Sequence, residues 1–116
     1  MKTLITLLIL VLALPVAVNA ETNTYRIAHT KYKNVNMVII NVNKSFFSGT
    51  ASQQAKWFTA YEQCVRSANL AGQTIVVSNN NGGIRYYGPK SWHKFLNTID
   101  MDWVNARINK KLTCTF

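Results

Sequence analysis

The sequence predicts a small single domain of the α+β class, a mostly antiparallel sheet with two helices packed on one face. Three observations carry that expectation. Five short segments either alternate apolar with polar residues or run β-branched without a break, as strands do. Two longer segments repeat their apolar residues at the 3.6-residue period of a helix. A chain of 116 residues that is 48% hydrophobic has the length of a single domain and the material for a core.

Residues 1–20 come first and read as a cleavable signal peptide. Lys2 supplies the positive start, Leu4 to Leu14 an apolar run, and Val18-Asn19-Ala20 a small-residue cleavage site. The apolar stretch ends at Val18 and contains Pro15, so it falls short of the ~20 residues of a membrane span. The working domain is then residues 21–116, exported to the periplasm or secreted, with no integral membrane segment left after cleavage. It keeps twelve Lys and Arg against four Asp and Glu, a formal charge of +8.

Thr24 to Thr30 alternates and reads as an edge strand, and Lys31 to Asn34 as its turn. Val35 to Val42 is apolar on both alternating faces, which suits a central strand. Thr50 with Gln53 three residues later is a capping-box signature. The helix it opens carries Trp57, Phe58, Tyr61, Cys64, Val65 and Ala68 on one stripe and stops near Gly72. Thr74 to Ser78 and Ile84 to Tyr87 are strands joined through Asn79-Asn80-Asn81-Gly82-Gly83, residues that tolerate the positive φ of tight turns. Ser91 is placed to cap a second helix, with Trp92, Phe95, Leu96, Ile99, Trp103 and Ala106 on one face. Asp100 and Asp102 leave open a break into two shorter helices. Leu112 to Phe116 alternates as the last strand.

The order is β-β-α-β-β-α-β. Without its first strand it matches the split βαβ order of a ferredoxin-like core. Cys64 lies on the apolar stripe of the first helix, and Cys114 shares a strand face with Leu112 and Phe116. Two cysteines in an oxidising compartment and pointing into one layer predict a Cys64–Cys114 disulfide.

The inventory favours binding over catalysis. The acids of the domain are Glu21, Glu62, Asp100 and Asp102, and the histidines are His29 and His93. No HxxxH or HxH spacing suggests a metal, and no motif suggests a cofactor. One enzymatic alternative stands: a small phosphodiesterase or ribonuclease with His29 and His93 as base and acid. A second alternative is a protein-inhibitor or immunity-type partner, which would present Phe46-Phe47 as an exposed apolar patch; otherwise those two rings cap the core.

The informative cluster runs from Arg85 to Lys94, where cations and aromatics interleave. If Ile84 and Tyr86 face the helices, Arg85 and Tyr87 lie on the open sheet face, and Lys111, Thr113 and Thr115 join them. With Lys90 and Lys94 beside it, that face is basic, aromatic and rich in hydroxyls. Its expected partner is an anionic cell-envelope polymer or an acidic protein. Export makes nucleic acid a poor candidate.

Overall fold

Val38, Ile39 and Ile40 are wholly inaccessible to solvent, as are Ile75, Val76 and Val77. Consecutive residues of a strand point to opposite faces, so strands with such runs must be covered on both sides. The rest of the architecture follows from that demand. The computed structural model describes residues 21–116, so the expected signal segment 1–20 lies outside the described residues. The elements are β1 (Thr22–Tyr32), β2 (Val35–Asn41), α1 (Ala51–Ser67), β3 (Gln73–Asn80), β4 (Gly83–Tyr87), α2 (His93–Leu96), α3 (Met101–Asn105) and β5 (Lys110–Thr115). Short 3-10 turns cover Lys44–Ser48 and Lys90–Trp92. The α+β class and the mostly antiparallel five-stranded sheet are as the sequence predicts.

The strands lie in the order β4-β3-β2-β1-β5. All neighbours are antiparallel except β2 and β3. A parallel pair needs a crossover, and α1 supplies it. This corrects the expected ferredoxin-like order. A split βαβ unit would insert a strand between the two that the helix joins, whereas β2 and β3 are direct neighbours. Nor is β1 the expected edge strand: it lies between β2 and β5.

The helices also differ from expectation, for they cover opposite faces. Tyr61 and Val65 of α1 pack on Ile27, Val38, Ile40, Val76, Leu112 and Cys114. Leu96 of α2 and Met101 and Val104 of α3 pack, with Trp92, on Ala28, Met37, Ile39, Ile75 and Val77. The physical reason is the double-sided burial of β2 and β3. Two helices on one face would have left Met37, Ile39, Ile75 and Val77 in water.

Local chemistry sets the boundaries. Thr50 Oγ1 accepts from the Gln53 N–H at 3.1 Å and Gln53 Oε1 accepts from the Thr50 N–H at 2.9 Å, completing the capping box. Asn69, at φ 59°, turns the chain out of α1. Gly72 serves instead for a close approach, since a Cβ there would lie 2.7 Å from the Asn36 carbonyl carbon. The β3–β4 hairpin turns on Asn81 and Gly82, both at positive φ, and the β1–β2 hairpin on Lys33 and Asn34 in the same way. The second helical segment is broken, as Asp100 and Asp102 allowed. Asp100 Oδ1 accepts from the Trp103 N–H at 2.9 Å and starts α3 afresh. Ser91 does not act as a cap: it lies inside the 3-10 turn that follows Pro89.

Cys64 of α1 and Cys114 of β5 form the expected disulfide, with Cα atoms 5.7 Å apart. The bridge spans 50 residues of sequence. Replacing both cysteines by serine is expected to cost about 4 kcal/mol of unfolding free energy, as the chain-entropy model gives for such a loop. Urea denaturation at equilibrium measures it. In the opposite direction, Ser78 Oγ is buried without a hydrogen-bond partner among the described residues. Ser78→Ala removes that unsatisfied hydroxyl and is expected to stabilise the domain by about 1 kcal/mol in the same assay.

Candidate functional site

The sequence-predicted binding residues are distributed over both faces and both edges of the sheet. Arg85, on edge strand β4, points to the α1 side, where its guanidinium lies 5.1 Å from the centre of the Phe47 ring. Tyr87 shares that side and is half-buried, with Phe58 and Phe46 at ring-centre distances of 4.9 and 5.7 Å. Lys90 is exposed in the 3-10 turn before α2. Lys94, also exposed, lines a shallow groove on the opposite side with Lys33, Tyr32, Trp92 and Phe95. Lys111 belongs to β5, four strand spacings from β4, which is about 19 Å. The face imagined from the sequence required both helices to lie on one side, and they do not.

Part of it nevertheless forms, around Lys111. In the β1–β5 register, Arg26 stands opposite Lys111, Thr24 opposite Thr113, and Thr22 opposite Thr115. These pairs recur at every second residue, so all six side chains share one face. All six are exposed. That face is the reverse of the one on which Leu112 and Cys114 are buried. The threonines are paired through their hydroxyls, Thr22 Oγ1 to Thr115 Oγ1 at 3.1 Å and Thr24 Oγ1 to Thr113 Oγ1 at 3.0 Å. These bonds hold the four hydroxyls in a fixed ladder beside the two cations. Neither strand places a carboxylate on this face, because Glu21 alternates to the other side with Asn23 and Tyr25.

The contribution of β1 to this ladder lies outside the sequence expectation, which assigns β1 no partner strand. A signal existed. Thr22-x-Thr24-x-Arg26 and Lys111-x-Thr113-x-Thr115 are the same pattern in reverse order, which antiparallel pairing superposes.

The histidines are not brought together. His29 lies on the α1 side, its Nε2 bonded to the Ala71 carbonyl at 3.0 Å and its Nδ1 2.9 Å from Lys110 Nζ. With Nε2–H donating, Nδ1 accepts from the lysine. His93 packs on Tyr86 on the other side, with Nε2 at 3.1 Å from the Gly88 carbonyl. The two rings thus flank the sheet, each held by backbone. Phe46 and Phe47 are buried at 4% and 9% exposure, so they cap the core and present no apolar patch. Among the described residues, no three of His, Cys, Asp and Glu are grouped so as to hold a metal ion.

No protein-family model, curated protein or solved structure matches the chain.

Arg26 and Lys111 carry like charge and stand directly opposite each other, an arrangement that destabilises a sheet. Lys111→Thr removes the repulsion and adds a strand-favouring side chain. It is expected to raise the unfolding free energy by about 0.5 kcal/mol at low salt and by less at high salt. Thermal melts of the two proteins at two salt concentrations decide it. No gain at low salt would mean that the pair is not under electrostatic strain.

Proposed function

We propose that the protein is an exported binding module that recognises an anionic polymer of the cell envelope through the outer face of β1 and β5. One observation carries the reading: Arg26 and Lys111 face each other across two strands, flanked by four hydroxyls and by no carboxylate of those strands. Folding does not call for like charges side by side. A row of phosphate, sulfate or carboxylate groups relieves their repulsion and accepts charge-assisted hydrogen bonds from both. The guanidinium can grip one oxyanion with two parallel bonds, and the lysine adds a point charge. Threonine hydroxyls supply further donors at the spacing of the strand, which suits a ligand that repeats. Twelve cationic side chains against four anionic ones in residues 21–116 add a long-range attraction for any polyanion.

The signal pattern in residues 1–20 supports export. The disulfide is compatible with an oxidising compartment. Among the described residues, no helix is long and apolar enough to cross a membrane.

The test is retention on beads of immobilised alginate, with uncharged polyacrylamide beads as control. Wild type is expected to bind alginate at low ionic strength and to elute as salt rises, since screening weakens exposed contacts. Arg26→Ala combined with Lys111→Ala should weaken retention by about tenfold. Lys44→Ala combined with Lys56→Ala, away from this ladder, should change it little. Equal retention by the Arg26/Lys111 variant and the wild type would remove the proposal.

A further inference from the structure

The other face of the β1–β5 ribbon ends in a cleft of about 580 Å³ between β1, α1 and the residues around Phe46. We infer that this cleft is a second binding site, for a neutral oligosaccharide, with a pyranose ring lying against Trp57 and Phe116 and its hydroxyls bonded at the rim.

The exposed aromatics come first. Only three large apolar side chains of the described residues are exposed, and two of them, Trp57 at 38% and Phe116 at 47%, line this one cleft. They are braced from behind. Phe46 stands 5.9 Å from Trp57 and 6.2 Å from Tyr61, and Tyr61 stands 5.4 Å from Phe116, all between ring centres. Gly49 leaves room for the indole, since a Cβ there would lie 3.0 Å from it. The wall is therefore formed before any ligand arrives, which lowers the ordering cost of binding.

The polar groups then restrict the ligand. Asn23, Asn43 and Ser45 reach the cleft, and Glu21 and Lys56 bring one charge of each sign. Tyr61 donates its hydroxyl proton to Tyr25 Oη at 3.1 Å, which leaves the Tyr25 O–H as a donor. Burial, reinforced by that bond, pushes the Tyr61 phenol well above the usual tyrosine range. An aliphatic chain would cover these amides and hydroxyls without bonding them, at a cost for each. A polyanion would meet Glu21. A quaternary ammonium is held by rings that enclose it, whereas the two exposed rings here line an open cleft. A pyranose has an apolar face of C–H bonds and an edge of hydroxyls, and so matches an aromatic wall with a polar rim. The volume falls within the ordinary range of small-molecule sites.

The site is independent of the Arg26/Lys111 ladder, and the experiment keeps the two apart. The purified protein is titrated with cellotriose and with chitotriose in about 0.5 M NaCl, where exposed ionic contacts are screened. The indole N–H of Trp57 is followed by NMR and assigned with Trp57→Phe. A saturable shift with at least one trisaccharide is expected, weakened about tenfold by Phe116→Ala and unchanged by Arg26→Ala with Lys111→Ala. The indole signals of Trp92 and Trp103, in the core on the other side of the sheet, report that each variant is folded. No movement of the Trp57 signal at about 10 mM of either sugar overturns the inference. So does a shift of equal affinity in folded Phe116→Ala.

Discussion

The parallel contact between β2 and β3 is the constraint on which the rest of the molecule depends. It joins two strands whose central residues are buried on both faces, and it is the one parallel pairing in the sheet, a geometry that a tight turn cannot make. Closing it requires a crossover, and α1 is that crossover. Burying its second face requires another layer, which α2 and α3 provide. With the middle of the sheet sealed in this way, the polar strands are left for the margin, and β5 is almost wholly exposed on its outer face. The margin is where both proposed ligands are placed.

Much of this was legible in the sequence, and the failures have specific causes. The capping box at Thr50 and Gln53, the Asn-Gly turn and the fresh helix start at Asp100 are local chemistry, decided within four residues. The disulfide was legible because a helix stripe and a strand face can each be phased from their own periodicity. The layering was not, although its evidence was in view. The run Val35 to Val42 is apolar on both faces and so needs cover on both, a demand that places the helices on opposite sides. Strand order is non-local by nature. Only the mirrored pattern at Lys111, Thr113 and Thr115, far along the chain, says that the partner of Thr22 is 93 positions away at Thr115.

The candidate site shows the same division. Lys111, Thr113 and Thr115 were identified as one outward face from alternation alone, and so they are. Arg85 and Tyr87 belong to that face only if one side of the sheet is empty. In the molecule their side is occupied by α1 and the Phe46-Phe47 turn, so Tyr87 packs in the core margin and Arg85 lies over Phe47. The residues that replace them, Arg26, Thr24 and Thr22, come from the strand that polar alternation marks in the sequence. Polar alternation on a strand near an edge marks an outer face as clearly as an apolar run marks a core.

The disulfide also has a topological consequence for how the chain assembles. Cys64 and Cys114 close a covalent ring that contains β3, β4 and β5, so both margins of the sheet belong to one loop. Strands β1 and β2 precede Cys64 and lie outside that ring, yet they fill the space between β3 and β5. The first hairpin is therefore a wedge seated in a closed band. A chain emerging from its N-terminal side delivers the wedge before the band. If the ring closes with the wedge absent, β3 and β5 are tied together with nothing to pair with between them. If the wedge is seated first, oxidation clasps the band around a finished sheet. Order of arrival, set by the sequence positions of two cysteines, separates a productive closure from an empty one.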